Sequence, residues 1–415
     1  MNVFTSRAAK LLATVGLAGL VTAGCASTQP TIEEITAREA NGNSVTLTVW
    51  TSQQEQASED AWLPAMERAF QEAHPEYDVT FNNAVVPSSQ AATTVAQDPA
   101  AAADVFMFAN DQLGALIDAG AIGQNSTAGT EQVIAQNDES IAKSVADGDG
   151  NYFGVPVNPN TWFMYYNTDT YSPEDITSLE KLLEKGVVSF PLSNSWYLPA
   201  FYVGAGGTIF GEDGTDAEAG IDLGDNAAAV TRYLVRLANN PNFSADIDGS
   251  GLAGFMNGSV DVVFTGSWDA DSIDEALGDS WGVAPLPTFN VDGQDFQMKA
   301  FAGSTAVGYN THTLHPKIAA DFTAFLGSAE AQLAHYQMGG ALPSDASLAD
   351  NPEVASNPVA TAQLETIEKT SVLQPAVKEM ANFWTPAETF GKALVNGEIT
   401  EANAQQRTEE WLSAY

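Results

Sequence analysis

Polar and apolar residues alternate along residues 44–50, Ser-Val-Thr-Leu-Thr-Val-Trp, and this period of two in a β-branched run predicts a strand. Over 62–74 the period changes. Trp62, Leu63, Met66 and Phe70 fall on one face of a helix, and Pro75 ends it. A strand is predicted over 77–82 and a helix over 88–97. The unbroken apolar run 104–108 reads as a buried parallel strand, and 112–119 as a helix stopped by Gly120. Strand and helix alternate three times, which predicts an α/β domain doubly wound about a parallel core.

The pattern then changes. Residues 152–167 form a long apolar and aromatic stretch interrupted by Asn158-Pro159-Asn160, a candidate crossing between two lobes. Helices are expected over 177–185, 197–203, 227–238 and 251–256, and strands over 187–190, 260–264 and 281–286. Residues 301–309 run extended and are a candidate return crossing. The remainder reads mostly as helix, over 316–326, 329–338, 359–368 and 386–396.

The N-terminus is of a different kind. Arg7 and Lys10 precede an apolar run, 11–21, that is too short to span a bilayer and has the length of a signal-peptide core. Small residues follow, then Cys25, the one cysteine in the chain. The segment resembles a bacterial lipoprotein processing box, with 1–24 removed and Cys25 acylated to anchor the chain in membrane lipid. An ordinary signal peptide with an incidental cysteine is the alternative. Residues 25–42 are polar and small and read as a tether. A body of roughly 370 residues is longer than one core usually grows, so two domains are expected. A lone cysteine allows no internal disulfide. The net charge of −38 repels phosphate backbones and argues against nucleic acid as a partner.

Several segments, in order, carry a resemblance. Gly258-Ser-Val-Asp-Val-Val-Phe-Thr-Gly-Ser-Trp268 resembles a segment of extracellular solute-binding proteins of the maltose-binding family. Trp281-Gly-Val-Ala-Pro-Leu-Pro287, Asp104-Val-Phe-Met-Phe-Ala-Asn-Asp111 and Tyr165-Tyr-Asn-Thr-Asp169 are similar to further motifs of that family, and Phe383-Trp384 lies where it has an aromatic. The resemblance covers about residues 45–412. It implies a two-lobed α/β fold with two or three crossing segments that close on a ligand. The lobes would be 43–157 plus 306–355 and 158–305 plus 356–415, with a third crossing near 351–360. It also implies a monomer that delivers a mono- or oligosaccharide to the membrane subunits of an ABC permease, facing the outside of the cell membrane.

A sugar offers apolar CH faces and polar edges, so its site pairs aromatic platforms with carboxylates and amides. Trp268, ending a buried strand in a Gly-Ser-Trp turn, is the main candidate platform, and Trp384 the second. Each has a core-packing alternative. Asp111, beside Asn110, is placed to take sugar hydroxyls or to cap the helix that follows. By the resemblance, Asn194 and Trp196 occupy a loop where the family often has an acid and an aromatic, and Asn160 a position where some relatives have Glu. Gln53 and Gln54 follow the first strand; Glu388 lies one turn beyond Trp384. Trp50 reads as core.

Other classes of function find less support in the residues. Asp111 with Asp269 or Asp271 could serve as a glycosidase pair, but no spacing supports the choice. None of the four histidines sits in a metal or triad spacing, and no phosphate-binding loop is present. No cofactor, no metal and no enzyme activity are expected. A binder of a non-sugar solute and a surface adhesin remain as alternatives.

Overall fold

The computed structural model describes residues 44–415. Cys25, the signal segment and the tether lie outside the described residues. No helix among the described residues is long and apolar enough to cross a membrane.

The first half of the chain supplies β1 (Val45–Thr51), β2 (Val79–Val85), β3 (Val105–Ala109) and β4 (Val155–Asn160). Next come β5 (Phe163–Asn167), β6 (Val188–Phe190), a small hairpin of β7 (Thr208–Ile209) and β8 (Ile221–Asp222), and β9 (Phe243–Ala245). Then follow β10 (Val262–Thr265), β11 (Trp281–Ala284) and a hairpin of β12 (Thr288–Val291) and β13 (Gln294–Gln297). Last are β14 (Ala300–Tyr309) and β15 (Ser371–Leu373).

Two large sheets result. The first runs β15-β14-β3-β1-β2, with β4 also paired to β14; the second runs β11-β5-β10-β6-β9. β1 pairs parallel with β2 and β3, as the sequence predicts, but β14 runs antiparallel to β3 and β4. The first sheet is therefore mixed, because its last long strand returns from the other lobe rather than arriving by a crossover helix. The second sheet mixes both senses too.

Each sheet is covered on both faces. Along β1, Val45, Leu47 and Val49 point into one core with Trp62, Leu63, Met66 and Phe70 of the helix Trp62–Ala73 and with Ile318 and Phe322. On the opposite face Phe106 and Phe108 meet Ala91, Val95, Leu113 and Leu116, with Trp50 against them. In the second lobe Met164, Phe190, Val262 and Phe264 pack under Phe201, Tyr233 and Phe390; Phe163, Tyr165 and Val263 face Phe255, Ile273 and Val359. The central strands β3 and β10 are buried throughout, which is why they read as unbroken apolar runs.

The crossing segments lie side by side. Asn158-Pro159-Asn160 does not break the strand: β4 pairs with β14 through Asn160, and the chain leaves the first sheet at Thr161-Trp162. Pro159 is tolerated because β4 is an edge strand. Thr161 Oγ1 donates to Phe301 O at 2.8 Å, tying the outgoing segment to the returning one. β14 starts with Phe301 in the second lobe's core and ends with Val307 in the first lobe's. A further passage lies around residues 342–354: Leu342 and Val354 pack in the second lobe's core, while between them the Asp345 N–H is held by Gln332 of the first lobe. Beyond β15, Gly114 N donates to Ala376 O at 2.8 Å, so the chain touches the first lobe once more.

Candidate functional site

Three tryptophans from separate segments of the second lobe gather near the carboxyl end of β3. Trp196 sits on the turn after β6, where Asn194 Oδ1 accepts the Trp196 N–H at 2.9 Å. Such a local side-chain bond shapes the turn. The Trp196 ring stands edge-on to Tyr197, with centroids 5.4 Å apart, and Tyr197 in turn packs on the buried Trp162 at 4.6 Å. Trp268 lies on the 3-10 turn Ser267–Asp269 that follows β10. Gly266 leaves room for this ring position, since a Cβ there would meet the Trp268 indole folded back over it. The Gly266 carbonyl also accepts from Tyr165 Oη at 3.0 Å. Trp196 and Trp268 face each other at 6.0 Å with a 32° tilt, and Trp268 is 53% exposed. Trp384 opens the helix Trp384–Val395 and stands edge-on to Phe301 at 6.3 Å.

The first lobe contributes Asp111, on the turn Asn110–Gln112 that ends β3. Gln112 Nε2 approaches its carboxylate at 3.3 Å, and the Trp384 side chain lies beside it. Burial is the larger influence and pushes the Asp111 carboxyl above the usual aspartate range; these neighbours oppose it. Asp111 and Trp384 thus meet across the junction of the lobes. An acceptor-only carboxylate beside aromatic faces suits a polyhydroxylated ring.

The sequence candidates separate into groups. Trp268, Trp196, Trp384 and Asp111 belong to this cluster. Asn110 is fully buried, and its Nδ2 donates to Gln374 O at 2.8 Å. Its place is set by close packing on Gly303, where a Cβ would strike Asn110 Oδ1. Asn194 and Glu388 line a hollow of about 480 Å3 within the second lobe, bordered by the turns that carry Trp196 and Trp268. Glu388 pairs there with Lys392, one helical turn on. Asn160 is half-buried on β4 opposite Gly303. Gln53 and Gln54 are exposed at the turn that ends β1, and no hydrogen bond ties either to the tryptophans. Trp50 packs against the first lobe's core.

Gln374 was missed. Its Oε1 accepts the Trp196 indole N–H at 2.6 Å, while its backbone is held by Asn110. It sits in no motif and carries no periodic signal, because it follows a three-residue strand that only pairing with β14 creates.

A model of the bacterial extracellular solute-binding protein family matches residues 65–362, most of the chain. The chain belongs to that family. Among curated relatives of this solute-binding protein is a maltooligosaccharide ABC transporter solute-binding lipoprotein of Streptococcus pneumoniae, 25% identical over 71% of this chain and 72% of the relative. A solved structure in complex with acarbose is 44% identical over 89% of this chain and 98% of that one, with a TM-score of 0.84. A maltodextrin-binding protein from L. casei, solved without ligand, is 26% identical over 90% of this chain and 99% of its own, with a TM-score of 0.82. The maltose-binding resemblance and the two-lobed fold that it implies are thereby established for this solute-binding protein. Its relatives are binding proteins, not enzymes.

Proposed function

We propose that this protein captures an oligosaccharide of the maltodextrin class between its lobes and passes it to the membrane subunits of an ABC importer. The observation that carries this reading is that the Trp196–Trp268 pair and the Trp384–Asp111 pair lie about the end of β3 where the two lobes adjoin, linked through Gln374 and Asn110. Indoles cover the CH faces of successive sugar rings, and the carboxylate takes hydroxyl protons. Because the carboxylate and the platforms sit on different lobes, a solute touching both favours the closed arrangement by its differential contacts. The relatives named above, a maltooligosaccharide-binding lipoprotein and an acarbose complex, support the same class. A solute without ring faces would leave three indoles unused. In this reading Cys25 carries the lipid that keeps the protein at the outer face of the membrane, and residues 25–42 give it reach.

The test is calorimetric titration of the chain lacking residues 1–24 with maltose through maltoheptaose, alongside cellobiose and a galactooligosaccharide. At least one α-glucan should bind with a Kd of about 1 μM or tighter, roughly −8 kcal/mol. Small-angle scattering should show compaction on binding. Absence of heat with every α-glucan sinks the proposal, and chromatographic appearance of glucose during incubation would make the protein an enzyme.

A further inference from the structure

Gln374 stands at the point where the chain leaves β15, and three hydrogen bonds fix it. Its N–H donates to Ala302 O at 2.7 Å, its carbonyl accepts from Asn110 Nδ2 at 2.8 Å, and its Oε1 accepts from Trp196 Nε1 at 2.6 Å. The first two fasten the backbone to the returning strand β14 and to the end of β3. The third holds an indole that belongs to the second lobe.

The orientation of the amide follows from chemistry. An indole N–H only donates, so the Gln374 oxygen must be the atom turned to Trp196. The amide nitrogen then points away from that ring. Among the described residues no protein acceptor meets it, and it is not one of the fully buried orphan atoms, although Gln374 as a whole is only 4% exposed. Two N–H donors are therefore offered from a nearly enclosed place beside Trp196, one residue away from Asp111 through the Asn110 bond. An amide in so dry a place gains from an acceptor of fixed position.

We propose that Gln374 is a recognition residue with two tasks: its oxygen positions the Trp196 platform, and its NH2 group donates to an oxygen of the bound solute. The second task rests on the sugar reading above. It complements Asp111, since an ionised carboxylate accepts hydroxyl protons but supplies none. A ring, glycosidic or hydroxyl oxygen of a stacked sugar needs a donor, and Gln374 provides it. The arrangement selects for solutes that present an acceptor oxygen next to the face lying on Trp196.

Two variants separate the tasks. Gln374→Met is close to isosteric and removes both acceptor and donor. Gln374→Glu keeps an acceptor for the Trp196 indole and removes the donor. Tryptophan emission of the unbound proteins reports the platform: the Met variant should shift relative to the parent, and the Glu variant should match it. Affinity for the best-binding α-glucan, measured well below the thermal midpoint of each variant, should fall at least tenfold for Met and at least threefold for Glu. Unchanged affinity in the Glu variant overturns the donor role. Unchanged emission in the Met variant overturns the positioning role. If the parent protein binds no sugar, the sugar reading and the donor role fall together, while the emission spectra still decide the positioning role.

Discussion

Replacing Trp268 by Ala tests the site at its most accessible platform. An indole side chain presents up to about 250 Å2, and at 53% exposure roughly 130 Å2 of Trp268 is bare. A sugar ring lying on one of its two faces covers about half of that, some 65 Å2. At about 25 cal/mol per Å2 the contact is worth about 1.6 kcal/mol, close to a fifteenfold change in Kd. Stability should change little, because the ring leans on Trp196 and Gly266 and is absent from the buried cores. Trp162→Ala is the matched control: that ring is fully buried between Phe190, Tyr197 and Phe264, and its loss should cost about 3–5 kcal/mol of stability. Calorimetric titration with the best-binding glucan, paired with thermal melts, reads both quantities. An affinity within twofold of the parent would show that Trp268 is not a platform, and a melting point lowered as far as in Trp162→Ala would show that it is a structural residue.

Three further outcomes are expected. Burial holds the Asp111 carboxyl above the aspartate range, so sugar affinity should begin to fall at a pH above the ordinary value of about 3.9 as the carboxylate protonates; Asp111→Asn should flatten that dependence, weaken binding, and raise stability at pH 7 by removing a charge that folding desolvates. His335, stacked on Trp62 at 4.2 Å, has its pKa pushed down to about 4 by burial, so at neutral pH its 3.9 Å approach to Glu55 is not an ion pair. Below about 6.5 the unfolded chain takes up a proton that the folded one refuses. Stability should therefore drop between pH 6.5 and 4, by about 3 kcal/mol in all, and denaturant titrations of His335→Phe should lack that component. Gly303→Ala, on the crossing strand β14, would drive a methyl group into Asn110, and urea unfolding should show a loss of about 1–3 kcal/mol.

Much of the architecture was legible because burial writes itself into periodicity. The helix Trp62–Ala73 and the strands β1, β3 and β10 lie within a residue or two of where the pattern puts them, since each has one buried face or is buried all round. Strands of two or three residues such as β7, β8, β9 and β15 carry too few positions for any period to show. The antiparallel return of β14 was invisible for another reason: strand direction depends on partners about 140 residues or more away.

The site divides in the same way. Trp268, Trp384 and Asp111 stand at the ends of patterned elements, where the sequence and its family resemblance put candidates for the site. Asn110 looked equivalent to Asp111, yet the close approach of Gly303 turns it inward to hold the backbone of Gln374. The position after a strand settles which residues reach an edge, and chain order settles that much by itself. Which way each side chain turns there, and that Gln374 joins Trp196 to Asn110, is decided by contacts between segments far apart in sequence, which exist only once both lobes and the strands crossing between them are in place.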